Sequence, residues 1–283
     1  MPLDDLVHDF NTRSHLLQGA GGDECFEIVD GQVRARMAGS VFGTLFQPIV
    51  DCRSGRVVGH EALLRVIEGP WVGLPPQAVY LDMPDDPSLV QLDRRVRTLH
   101  LLNFLQQQAQ EGGFLALNVH SQLLRGVHAN HGLAFEAILA HCGLTPEGIV
   151  LEIPDDGFDP LRRLAGALEA YRARGYRVAI DNFGRHTASL ERLEVLAPDI
   201  VKLDRSLVGH AGHLNLARRV ITELAEELRR IGASAICQCV ESPMQSQVAK
   251  EAGVEFMQGF LVGRPAARCL PVAGPRAPRE ARA

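Results

Sequence analysis

From residue 42 onward, short apolar runs alternate with longer stretches in which apolar residues recur every three or four positions. The runs 44–51, 57–66, 114–120, 149–155, 178–183, 200–204, 235–241 and 256–261 are rich in Val, Ile and Leu, and several are apolar almost throughout. Strands covered on both faces read this way. Between them, 89–109 sets Leu92, Val96, Leu99, Leu102 and Leu105 on one helical face. Stretch 161–174 follows Asp159-Pro160 and stops before Gly175. Stretch 214–231 is amphipathic, carries Arg229 and Arg230 in its last turn and meets Gly232. A shorter helix is predicted over 243–252, before Gly253.

Strands with repeated helical crossovers predict an α/β fold, a modified TIM (β/α)8 barrel. The link Cys52-Arg53-Ser54-Gly55-Arg56 between the first two strands is too short for a crossover helix. It must be a hairpin, which makes the first strand antiparallel. An open doubly wound sheet is the alternative, disfavoured because no Gly-rich phosphate loop follows an early strand. Residues 26–29 and 32–36, joined through Asp30-Gly31, predict a further hairpin. The expected organisation is an N-terminal extension over 1–41, a barrel over 42–270 and a disordered tail from 271, rich in Pro, Ala and Arg.

Charge and cysteine usage narrow the partners. A formal charge of -5 over 283 residues excludes a bulk nucleic-acid binder, which needs many phosphate-neutralising cations. No apolar run reaches transmembrane length, and Met1-Pro2-Leu3-Asp4-Asp5 lacks a signal-peptide profile, so a cytoplasmic chain without membrane contact is expected. The cysteines at 25, 52, 142, 237, 239 and 269 form no CxxC pair, which argues against a disulfide framework or a zinc site. Cys237 and Cys239 are expected on one side of one strand, as small buried residues.

In such a barrel the chemistry sits at the C-terminal ends of the strands. The polar residues found there are Glu61, Asn118, Glu152, Asp181, Lys202, Asp204, Gln238, Glu241 and Gln258. Crowded carboxylates repel unless protonated or bridged by a cation. Oxygen ligands of this kind suit Mg²⁺, Mn²⁺ or Ca²⁺ rather than zinc.

These residues carry a resemblance. Gln47-Pro48-Ile49-Val50, Glu61-Ala62-Leu63-Leu64-Arg65, Asn118, Glu152, Asp181-Asn182-Phe183-Gly184, Lys202-Leu203-Asp204, Val240-Glu241, Gln258-Gly259-Phe260 and Gly263-Arg264-Pro265 stand in an order that resembles the EAL family of cyclic di-GMP phosphodiesterase domains, over about 42–267. The resemblance implies a barrel with an antiparallel first strand. It also implies that Glu61, Asn118, Glu152 and Asp181 hold a first divalent metal and that Arg65 contacts a ligand phosphate. Lys202 would sit near the attacking water, Gln258 beside the site, and Gln47 and Leu64 near a guanine or its phosphate; Asp204 and Glu241 are expected among the ligand-binding residues with them. Active members use two Mg²⁺ or Mn²⁺ ions to give pGpG. Gly21-Gly22-Asp23-Glu24 resembles the start of the GGDEF signature, but with little chain before it a chance likeness is the expectation.

The chain departs from that pattern at three places. Asn182 replaces the second of the family's paired aspartates, Gln238 replaces a glutamate of the metal and water network, and Arg185-His186-Thr187-Ala188 replaces a loop of small residues. An amide keeps an oxygen but loses charge, and Gln238 cannot serve as a base; loss of a general base costs roughly 10²–10⁴-fold. Asp155 stands where the family has a glutamate. The expectation is a degenerate EAL domain that binds cyclic di-GMP, a protein partner, or both, with one metal site rather than two (Mg²⁺ or Mn²⁺, with Ca²⁺ an alternative), Glu61 and Lys202 being vestigial for catalysis. Two other readings are an active phosphodiesterase and an interaction module without nucleotide binding. Homodimerisation is implied by the family, although the altered loop belongs to the usual interface. Arg185 and His186 read as a solvated loop tip, Arg94-Arg95-Val96-Arg97 as a solvated helix face, and Trp71 as an anchor of its Pro/Gly-rich loop. His120, His128, His131, His210 and His213 show no zinc spacing.

Overall fold

A computed structural model describes residues 1–12, 24–107, 113–120, 124, 132–154, 160–185, 189–208 and 214–272. Asp155, His186, Thr187, Ala188, the histidines at 128, 131, 210 and 213, Gly21-Gly22-Asp23 and the tail from 273 lie outside the described residues.

The described strands are β1 (Cys25–Val29), β2 (Gln32–Met37), β3 (Ser40–Asp51), β4 (Val57–Glu68), β5 (Phe114–Asn118), β6 (Ile149–Pro154), β7 (Arg177–Phe183), β8 (Ile200–Leu203), β9 (Ser234–Cys237) and β10 (Phe256–Met257). β4 through β10 are parallel, neighbour to neighbour. β3 is antiparallel to both β4 and β10 and closes the barrel between them. Asp51 shapes the hairpin that forces this reversal: its Oδ1 accepts from the Ser54 N–H at 2.6 Å and from the Ser54 hydroxyl at 2.7 Å.

The helices are α1 (Leu3–Thr12), α2 (Gln77–Leu81), α3 (Asp86–Leu105), α4 (Leu133–His141), α5 (Leu161–Arg172), α6 (Leu190–Leu196), α7 (Arg205–Val208), α8 (Leu214–Arg230) and α9 (Pro243–Glu251). α3 starts earlier than the apolar periodicity indicates, because the Asp85 carboxylate accepts from the Ser88 N–H at 2.8 Å and caps the first turn. It is also buried more widely than one stripe. Arg95 and Arg97, expected on a solvated face, are 5% and 4% exposed. Arg95 pairs with Glu24 at 3.0 Å, and Arg97 pairs with Asp93. Trp71 is buried and stacks on Phe42 with ring centroids 6.3 Å apart, as an anchor of its loop.

The sequence places a seventh strand over 235–241, but β9 stops at Cys237. Cys239 turns into the left-handed region at φ 54° and is exposed, whereas Cys237 is buried. The two cysteines therefore do not share a face. The last strand is likewise short, because the chain turns after Met257.

The N-terminal extension is continuous with the barrel wall. Along one edge of β3, β10 pairs at Val50 and Asp51, Ala266 bridges Phe46, and β2 pairs over Ser40–Phe42. The Asn103 side chain of α3 holds both backbone groups of Val33, accepting at 3.0 Å and donating at 2.8 Å. Asn11 of α1 does the same for Phe26, at 2.8 Å each way. No helix among the described residues is long and apolar enough to cross a membrane.

Candidate functional site

Strand alternation stacks two layers inside the barrel. The lower layer is apolar: Ile49, Phe114, Ala116, Val150, Ala179, Ile200 and Ile236 form a cluster of their own, with Phe256 packed against it. Two residues further along each strand comes a polar one. Asn118 follows Ala116, Glu152 follows Val150, Asp181 follows Ala179, Lys202 follows Ile200, Gln238 follows Ile236 and Gln258 follows Phe256. Glu61 follows Gly59 on β4, and on the reversed β3 Gln47 precedes Ile49. Eight strands thus put one polar ring on one apolar floor.

Lys202 is the centre of this ring and is 0% exposed. Its ammonium donates to Glu61 Oε2 at 2.9 Å and to both oxygens of Glu152 at 2.7 Å. Asp181 Oδ1 lies 3.8 Å away. Burial disfavours the charged lysine, but Glu152, Glu61 and Asp181 outweigh it and raise its pKa.

The three carboxylates respond differently. Burial would raise Glu61, but the Lys202 ammonium and N–H donors from Asn118 (2.9 Å) and Gln258 (2.8 Å) bring it down to about 2. Glu152 is driven well above the usual carboxylate range by burial and by its neighbour Glu61, against the pull of Lys202. Asp181 is raised by burial, with Lys202 opposing and Glu61 adding to the effect. One ammonium is too little positive charge for three buried acids.

Asp181 is held by two amide side chains, those of Asn182 and Gln238. Asn182 Nδ2 donates to Asp181 Oδ2 at 2.6 Å, and Gln238 Nε2 donates to Asp181 Oδ1 at 2.9 Å. Asn182 adopts φ 57°, a conformation that asparagine tolerates better than most residues. Gln258 bridges the ring to β3, its Nε2 lying 3.4 Å from Gln47 Oε1, while Gln47 Nε2 donates to the Gly263 carbonyl at 3.1 Å. Next to it, Gly259 leaves no room for a side chain: a Cβ there would lie 2.2 Å from the Val240 backbone.

Other candidate residues stand outside the ring. Arg65 is exposed, four residues beyond Glu61 and on the same face of β4. Leu64 alternates to the opposite face and packs against the main core. Asp204 is 9% exposed and accepts from the Ser206 N–H at 2.9 Å. Glu241 is exposed ahead of α9. Sequence reasoning assigns no role to Arg205, although its place just past Asp204 at a strand end is the signal that would have singled it out.

Donor type decides what the ring could hold. Glu61, Asn118, Glu152 and Asp181 offer the oxygens a hard divalent cation takes, and the shortage of positive charge favours one. On the far side of Asp181 the fit fails, because both its oxygens already face amide N–H donors. Among the described residues no three acidic, histidine or cysteine side chains form a ready-made metal centre, since Lys202 lies between the acids.

The EAL domain family model matches residues 31–265. The chain belongs to the EAL domain family. This EAL domain is 27% identical over 225 residues to the EAL-domain containing protein YkuI of Bacillus subtilis, covering 78% of the chain and 54% of YkuI. It is 29% identical over 234 residues to the cyclic di-GMP phosphodiesterase RocR of Pseudomonas aeruginosa, covering 79% of the chain and 57% of RocR. The chain thus spans about half the length of these relatives. The structure of YkuI with cyclic di-GMP and calcium superposes with a TM-score of 0.69 at 24% identity, over 82% of this EAL domain and 57% of that chain. The shared fold is the modified TIM barrel with a reversed first barrel strand.

Proposed function

We propose that this EAL domain is a receptor for cyclic di-GMP that hydrolyses it slowly or not at all. RocR is a cyclic di-GMP phosphodiesterase and the YkuI structure holds cyclic di-GMP with calcium, which supports the choice of ligand. The observation that carries the loss of hydrolysis is the double amide clamp on Asp181. Where two further carboxylates would bring a second cation and a base, Asn182 and Gln238 bring N–H donors that satisfy Asp181 without either.

Glu61, Asn118, Glu152 and Asp181 would hold a single Mg²⁺ or Mn²⁺, or Ca²⁺ in its place. Such a cation supplies positive charge to a bound phosphate. Arg65, exposed on the same face of β4 as Glu61, would offer a fork for a phosphate. Gln47 and Gln258 stiffen the wall between β3 and β10. Lys202 keeps the acids apart in charge and serves the ring as its counter-ion. Of the described N-terminal residues, β2 pairs with β3, while β1 and α1 pack in turn on β2 and β1.

Titration calorimetry with cyclic di-GMP and Ca²⁺ should give saturable heat. An assay with Mg²⁺ or Mn²⁺ should give little pGpG. Turnover at rates usual for enzymes would overturn the reading, and absence of binding at high micromolar ligand would favour an interaction module instead.

A further inference from the structure

We infer that Arg185 and Arg205 form an anion subsite on the rim beside Asp181, Asn182 and Gln238, built to take a phosphate of a phosphodiester ligand; this deepens the cyclic di-GMP reading and rests on it for the identity of the ligand. The two arginines follow the ends of β7 and β8, whose exits are laced together. The Asp204 N–H donates to the Phe183 carbonyl at 2.9 Å, and the Ser206 hydroxyl donates to the Gly184 carbonyl at 3.4 Å. Gly184, at φ 92°, packs so closely on Leu207 that a Cβ would lie 2.7 Å from its Cδ1. The Arg185 N–H closes a turn on the Asn182 carbonyl at 3.1 Å. Burial raises the Cys239 thiol, with Glu241 and Asp204 adding to the rise, and Arg205 is near enough to oppose it; Cys239 adjoins Gln238. The pair therefore borders the amide clamp from two strand ends.

Charge gives this placement its meaning. Arg185 and Arg205 are exposed and have no ion-pair partner among the described residues; exposed Arg162 and Arg163 on α5 share that state, so what distinguishes the pair is its place at two strand ends beside the amides. Carboxylates at 182 and 238 would draw nearby guanidinium groups or a cation. With amides there, positive charge at this edge is left for an incoming anion. A guanidinium fork matches phosphate oxygens two at a time. Arg65 lies on β4, across the ring from β8, so a ligand with two phosphates meets cations on both sides of the mouth.

Two measurements test the subsite on the full chain. Arginine Nε–Hε signals, assigned with R185A and R205A, are followed during titration with millimolar inorganic pyrophosphate and then with cyclic di-GMP and Ca²⁺. Arg185 and Arg205 should shift with both ligands. Signals that stay fixed with pyrophosphate overturn the subsite. Shifts with pyrophosphate but no uptake of cyclic di-GMP support the subsite and sink the nucleotide reading alone. In calorimetry the double variant R185A/R205A should bind cyclic di-GMP about tenfold more weakly, while R163A on the outer face of α5 binds as the native chain does. Native affinity in a folded double variant overturns the proposal.

Discussion

Gln238 Nε2 donates to Asp181 Oδ1 across 2.9 Å, from the end of one strand to another two places away in the sheet. The contact ties a neutral amide to an acid of the ring. It uses a neutral donor where a carboxylate would have met Asp181 as a like charge. The geometry of the ring is thereby kept at a different charge.

Restoring the acids should restore the need for a cation. Q238E alone places a second carboxylate against Asp181, and two carboxylates sharing a site cannot both ionise cheaply. Its melting temperature should fall by a few degrees in EDTA and recover with Mn²⁺. The double variant N182D/Q238E should hydrolyse cyclic di-GMP roughly 10²-fold faster than the native chain, read as pGpG by chromatography. A double variant as inert as the native chain would mean that the loop after Phe183, not the two amides, limits turnover.

Lys202 is expected to matter for the fold before it matters for any ligand. K202M removes the only ammonium among Glu61, Glu152 and Asp181. Breaking a buried charge cluster on one side costs about 3–5 kcal/mol. Denaturant unfolding followed by circular dichroism checks this, and an unchanged midpoint would show that the acids are protonated in the native chain.

The ring acids should leave a signature in the pH dependence of stability. Glu61 has a lowered folded pKa, so its contribution is complete above about 4.5 and fades as pH falls towards about 2. Glu152 has a raised folded pKa, which gives the opposite sign: its contribution is greatest below its ordinary value and is lost as pH rises through the raised one. The buried histidines His60 and His100, lowered to about 4 and about 3, act in the sense of Glu61 and mask the effect in the native profile. The readout is therefore the difference between E152Q and the native chain. E152Q should gain on the native chain as pH rises from 4.5 to 8 in urea unfolding, and a difference that stays flat with pH would contradict the raised value.

The C-terminal segment is pinned by a buried imidazole. The Leu270 N–H donates to His60 Nε2 at 3.0 Å, and the Cys269 N–H donates to Gln107 Oε1 at 3.2 Å. Burial keeps His60 neutral at ordinary pH, with its pKa at about 4, so the acceptor persists there. H60F removes that acceptor at a cost of about 1 kcal/mol and should speed tryptic cleavage at the exposed Arg268. Equal cleavage rates would mean that the Phe46–Ala266 bridge suffices alone.

Much of this molecule is written in its apolar alternation. The eight barrel strands, the reversed first strand and the hairpin at Asp30-Gly31 follow from run lengths and a five-residue link, because those features are local. The ring residues are legible for the same reason: each interrupts, ends or directly follows an apolar strand. α2 and α6 are too short to show a period, and Leu133–His141 is apolar on most sides. Arg95 reads as surface because its partner Glu24 becomes a neighbour only through packing, and Arg97 because its pair with Asp93, one helical turn away, has the spacing of an ordinary exposed pair. Nor does an alternating pattern reveal that the backbone reverses its handedness at Cys239, which sets Cys239 and Glu241 outside the ring. The direction of an amide is equally invisible in sequence: Asn182 and Gln238 are read there as uncharged, but not as both turning their nitrogen towards one acid.

The reversed β3 has one more effect. Gln47 and Phe46 are adjacent on it, so the strand that touches Gln258 on its inner side carries Ala266 at its edge. Gln32, in the extension, reaches Ala267 in the same segment, at 3.4 Å. The hairpin of the extension and the 263–267 segment therefore meet on a single plank of the barrel, and that plank carries Gln47, one hydrogen bond from the residue that steadies Glu61.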